Sequence, residues 1–100
     1  MKKDKKDIYT IIETGDEKAL KKEVITVLKA VIIDPTNKNE SSYFQSYLIT
    51  IPLELGWEDN YIVKDKILDD VINAMTTFEG DTEEEAKTKA KKLLKKLEGK

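Results

Sequence analysis

The chain has no cysteine, no histidine and no arginine. Without cysteine there is no disulfide framework, no thiolate metal site and no thiol nucleophile. Without histidine it lacks the residue most often used for proton transfer near neutral pH. Because all 18 basic residues are lysine, the planar fork that reads guanine or clamps a phosphate at two points is missing. Glycine and proline are sparse, at four and two, and no Asn-Gly or Asp-Gly pair marks a tight hairpin. No apolar run approaches the ~20 residues that span a bilayer. The basic start Met-Lys-Lys-Asp-Lys-Lys-Asp precedes only a short apolar stretch at residues 8–12, too brief for the core of a signal peptide. A cytoplasmic location with no membrane association is therefore expected.

Charged residues make up 38% of the 100 positions and apolar ones 39%. The apolar residues are nevertheless regularly spaced along most of the chain, which favours folding over disorder. Helices with a narrow apolar stripe and a heavily charged outer face satisfy both figures. One hundred residues suffice for a single core, so residues 1–100 are expected to form one domain. A net charge of −2 creates no field that makes nucleic acid the default partner.

The stretch 60–97 organises the rest. In its first half Val63, Ile67, Val71, Ala74, Met75 and Phe78 recur at steps of three and four, and in its second half Ala86, Ala90, Leu93, Leu94 and Leu97 do the same. The spacing predicts two helices joined by Glu79-Gly80-Asp81-Thr82. In this reading Asp59 or Asn60 caps the first, Gly80 takes a left-handed conformation to end it, and Asp81 or Thr82 caps the second. The pairs Glu83–Lys87 and Glu85–Lys89 stand four apart in the favourable order.

Upstream, residues 16–33 read as a helix capped by Asp16, with Leu20, Val24, Val27, Leu28 and Val31 as its stripe and Asp34-Pro35 as its stop. The stripes at 20–31 and 86–97 match at a constant offset of 66, either a trace of duplication or the resemblance shared by any two amphipathic helices. Residues 7–14, 43–52 and 71–79 are mixed signals. Ile8, Ile11 and Ile12, like Tyr43, Phe44, Tyr47, Leu48 and Ile51, keep helical spacing, but both groups lie among β-branched and aromatic residues. Ser41 or Ser42 would cap the middle helix and Pro52 would end it.

Three constellations are candidates for function. Trp57, Tyr43, Tyr47 and Tyr61 lie in or near the central bend, and such residues anchor protein interfaces; the simpler reading is that Trp57 packs over the bend. Lys92 and Lys96 align on the last helix, among four further lysines from Lys87 onward, as a ridge that could meet an acidic partner or phosphate. The simpler reading is ordinary solvated helix surface, with the lysine stems covering the apolar stripe. The acidic cluster Glu79, Asp81, Glu83, Glu84 and Glu85 lacks the alternating oxygen ligands of a calcium loop and reads as helix-start chemistry. No metal site, cofactor or catalytic residue is predicted.

Gly80-Asp81-Thr82-Glu83-Glu84-Glu85-Ala86 resembles the strand-to-helix junction of HicB-like antitoxins, small proteins of βββα core that neutralise an RNA-cleaving toxin. The resemblance covers seven residues. It implies an α+β fold with a three-stranded sheet and a C-terminal helix, a strand at 71–78, and a toxin or nucleic acid as partner. The compact strand spacing of that family is not matched between Pro52 and Gly80.

The expectation is thus an all-α fold, a small bundle of four to five amphipathic helices, acting as a non-enzymatic protein-binding domain of the inhibitor, immunity or adaptor kind. The alternatives are the α+β antitoxin-like module, with nucleic acid reached through the C-terminal lysines, and an engineered scaffold without a natural partner.

Overall fold

The longest helix, α2 (Glu17–Ile33), packs against the first helix, the segment that follows it and the last helix. The computed structural model describes residues 4–41 and 43–99, and among them there are six α-helices and no strand. Besides α2 these are α1 (Asp4–Thr14), α3 (Lys38–Ser41), α4 (Tyr43–Glu54), α5 (Lys66–Met75) and α6 (Glu83–Glu98), with 3-10 turns at Pro35–Asn37 and Phe78–Gly80. Since α3 is a single turn, five longer helices form the bundle. The all-α expectation holds, and the α+β alternative is overturned. Residues 7–14 and 43–52 are helical, and 71–79 is helix to Met75 followed by turns, so the strand implied by the antitoxin resemblance is not there. Strand propensity spans only about 1 kcal/mol per site, less than the gain from burying Ile8, Ile11 and Ile12, or Phe44, Leu48 and Ile51, along one helical face.

Local chemistry sets the first reversals. Gly15 (φ +71°) ends α1: its N–H bonds the Ile12 carbonyl, and the Asp16 N–H reaches back to that of Ile11. Asp16 then caps α2, its carboxylate accepting from the Ala19 N–H at 3.1 Å. One dipeptide therefore turns the chain between two packed helices. At the far end of α2, Asp34 accepts from the Thr36 hydroxyl (2.7 Å) and amide (3.2 Å), and these bonds hold its carboxyl below the usual range. Ser42, one of the two proposed caps of the middle helix, lies outside the described residues.

Proline does not end α4, contrary to expectation. Pro52 lies fully buried within the helix, which runs on to Glu54 and closes at Gly56 (φ +85°). A proline at this position has no N–H to offer the carbonyl four residues back, which is that of Leu48. The Tyr61 N–H supplies the missing bond at 3.0 Å. The helix survives because a segment distant in sequence repairs it. Pro52→Ala restores a competing donor, and exchange of the Tyr61 amide is expected to quicken by roughly two- to ten-fold, the worth of one hydrogen bond, as read by hydrogen exchange.

Residues 57–65 have no regular structure, so the helix predicted from residue 60 begins only at Lys66. Asp65 is the cap, its carboxylate accepting from the amides of Ile67 (3.0 Å) and Leu68 (3.2 Å). Within the extended stretch side chains alternate: Val63 is buried while Ile62 and Lys64 face outward. The buried stripe of α5 is Leu68, Val71, Ile72 and Met75, and Ile67 is exposed.

The α5–α6 junction also differs from expectation in detail. Gly80 lies in a 3-10 turn rather than in the left-handed region. Thr82 is the cap, accepting from the Glu85 N–H at 3.1 Å while Glu85 accepts from the Thr82 N–H at 3.0 Å. With Glu85 so engaged, Lys89 pairs instead with Asp81 at 2.8 Å and donates to the Thr77 hydroxyl at 2.8 Å, fastening both sides of the turn.

The most extensive helix packing is between α2 and α6, the two helices whose stripes match in sequence. Leu20, Val24, Leu28 and Val31 share one core with Ala86, Ala90 and Leu97, while Leu93 and Leu94 are only half-buried. The alanines permit close approach. The radius of gyration is 13.1 Å, matching the ~13 Å of a compact 100-residue fold. Among the described residues no helix is long and apolar enough to cross a membrane.

Candidate functional site

α4 stands apart in composition. Of its twelve residues only Glu54 is charged, in a chain that is 38% charged. Phe44, Leu48, Ile51 and Pro52 fill its buried face. Its outward face carries Tyr43, Ile49 and Leu53, the last 66% exposed, interleaved with exposed Ser46, Thr50 and Glu54. A surface helix normally puts charge on its outer face; α4 puts three large apolar side chains there and a single charge, Glu54, in its last turn.

At its N-terminal end, Tyr43 and Tyr47 come together, one helical turn apart, with ring centroids at 6.4 Å and planes at 60°. Tyr47 also meets Phe44 edge-on at 6.2 Å. These rings close one side of a groove of about 260 Å³. The groove is completed by Ile8 of α1, by Glu23, Val27 and neighbours of α2, and by Glu40 of α3. It is smaller than the roughly 300–1,000 Å³ of sites that enclose a small molecule. Burial pushes the Tyr47 phenol above its usual range, and the neighbouring Tyr43 and Glu40 add to the shift.

The other two aromatics are elsewhere. Trp57 follows the end of α4, its N–H bonded to the Pro52 carbonyl at 2.9 Å and its side chain 41% exposed. It does not line the groove. Tyr61 is half-buried and donates to the Glu17 carboxylate at 3.1 Å. Burial, followed by this bond and the Glu17 charge, raises its phenol to about 12. Tyr61 is thus a structural tether. Glu17 also accepts from the backbone N–H groups of Lys64 (2.6 Å) and Asp65 (3.0 Å), so one carboxylate at the start of α2 holds the extended segment in place.

Lys92 and Lys96, one turn apart on α6, border an open depression with Lys95 and Gly99. Both are exposed and lie near the helix C-terminus, where cations complement the helix dipole. Of the acidic cluster, Glu85 completes the capping box and Asp81 pairs with Lys89. Among the described residues no group of three acidic side chains is placed to hold a metal ion.

Sequence reading did not single out Ile49 and Leu53 as exposed, nor Glu17 as a hub. The signal for the first two was present as the near-absence of charge in residues 43–54. For Glu17 there was none, because its donors lie 44 to 48 residues away.

No protein family, curated protein or solved structure matches the chain.

Proposed function

We propose that the chain is a non-enzymatic interaction domain, of the inhibitor, immunity or adaptor kind, that binds another protein through α4 and the residues just beyond it. The observation that carries this reading is the set of exposed apolar side chains on the charge-poor outer face of α4. Exposing Tyr43, Ile49, Leu53 and then Trp57 on so charged a chain is unfavourable unless a partner covers them. Aromatic residues flanking an aliphatic centre are the usual composition of an interface core, with charge kept to the rim. The lack of histidine and cysteine supports a binding role over catalysis.

The test places a photo-crosslinking residue at Leu53 and, for comparison, at exposed Lys91 of α6. The expected result is a discrete protein adduct from position 53 and none from 91. Leu53→Glu with Ile49→Lys should weaken the recovered interaction at least ~30-fold, equivalent to about 2 kcal/mol, with the thermal melt little changed. Equal crosslinking from both positions, or binding indifferent to the two charges, overturns the reading.

A further inference from the structure

The groove beside Tyr43 and Tyr47 differs in chemistry from the charge-poor outer face of α4. Val27 and Phe44 give it apolar walls, the two tyrosine rings flank it, and Glu23 and Glu40 bring carboxylates to it. None of the described residues that line it is a lysine, in a chain with 18 of them. An apolar slot with aromatic rings and acid is complementary to one kind of side chain: a long aliphatic stem ending in positive charge. We propose that this groove is a socket for a single lysine or arginine side chain presented by the partner protein.

The stem would lie along Val27 and Phe44, as such stems do on apolar surfaces. The charged end would meet the tyrosine faces, where a cation is attracted by the ring quadrupole, and the Glu40 carboxylate. Glu23 has an interaction of its own within the chain, so Glu40 is the carboxylate on which the socket depends. Glu40 and Tyr47 line the same groove, and the Glu40 charge adds to the upward shift of that phenol. A volume of about 260 Å³ suits one side chain rather than a cofactor. An acidic side chain would be repelled by the same carboxylates. A neutral one would desolvate them without compensation.

The proposal rests on the protein-binding reading, and it specifies what the partner carries at this point. The test is a chemical-shift titration of the isotope-labelled full chain with the N-acetyl methylamides of arginine, lysine, norleucine and glutamate. The two cationic probes are expected to bind weakly, with Kd on the order of millimolar, and to move the resonances of Glu40, Tyr43, Phe44 and Tyr47. Norleucine, which keeps the stem without the charge, should bind about three- to ten-fold more weakly, and glutamate not at all. Glu40→Gln should weaken the cationic probes by a similar factor and leave norleucine unchanged. Glu40 is exposed, so this variant keeps the fold; Tyr47→Leu, which removes a ring, gives a second reading.

Equal binding of norleucine and lysine overturns the socket, as do shifts centred on the acidic start of α6. Concentration-dependent shifts of the groove residues without any probe would mean that a second copy fills it, which overturns a foreign partner. Crosslinking at Leu53 is read separately. A groove indifferent to cations with intact crosslinking at 53 removes the socket and leaves the interface standing.

Discussion

Phe78→Ala is expected to destabilise the protein by about 3–5 kcal/mol, the range for deleting a buried aromatic side chain. A 100-residue chain holds about 5–15 kcal/mol in total, so the variant should sit close to unfolding. Phe78 is completely buried, yet it belongs to a 3-10 turn rather than to a helix. It occupies the closed end of the core where α5 reverses into α6, and α3 packs against the same turn. Ala86 and Ala90, the core residues in the first half of α6, carry only a methyl each and cannot extend to fill a gap in the shared core. The turn itself is fastened by Lys89 to Asp81 and Thr77, which limits collapse of the backbone into the gap. Both features place the cost toward the upper part of the range. Urea unfolding gives the measurement, with a fall in midpoint at unchanged slope as the expected pattern. By contrast Leu94→Ala, at a half-buried position, should cost less than a fully buried leucine would. A Phe78 loss no larger than that of Leu94 would contradict the burial described here.

The helices whose limits are set by neighbouring residues were readable from sequence. Asp16 and Thr82 cap α2 and α6 through bonds to residues three positions on, and both stripes are buried largely as their spacing predicts. α5 was read with the right type but the wrong start. Asp59, Asn60 and Asp65 are all competent caps, and nothing local chooses among them. The choice comes from Glu17, which binds the amides of Lys64 and Asp65 and keeps that stretch extended. Pro52 shows the same limit. Its missing N–H argues for a helix end, and only the Tyr61 amide, nine residues on, cancels the argument. The candidate site follows this division. The i, i+4 spacing of Tyr43 and Tyr47 is visible in the sequence. The groove they flank needs Ile8, Val27 and Glu40 from three other helices, and no pattern in the sequence brings those together.

Glu17→Ala is expected to cost about 2–4 kcal/mol, unusually large for a residue that is not part of the apolar core. Hydrogen bonds to a charged group contribute roughly 1.5–3 kcal/mol each, and the Glu17 carboxylate accepts three. The sum is not realised because the amides of Lys64 and Asp65 are near solvent and regain water when released. Glu17→Gln separates charge from shape. One carboxylate oxygen serves Lys64 and Tyr61 while the other serves Asp65, so an amide in either orientation turns its NH₂ toward a donor. Glutamine should therefore recover less than half of the loss, and exchange of the Lys64 and Asp65 amides should quicken in both variants. The Tyr61 phenol provides an independent reading. Its pKa is raised from 10.0 to about 12, first by burial and then by Glu17. A raised pKa means that the folded state favours the protonated phenol. That contribution is complete below pH ~10, and it declines as the pH rises toward 12 and the unfolded chain releases the proton first. Lysines titrate in the same window, so the relevant quantity is the difference between the native chain and Tyr61→Phe. Urea melts from pH 9 to 12 should show a steeper alkaline fall for the native chain than for Tyr61→Phe, with the two converging as the pH rises. Parallel curves would mean that neither burial nor Glu17 raises the Tyr61 phenol, and would contradict the tether.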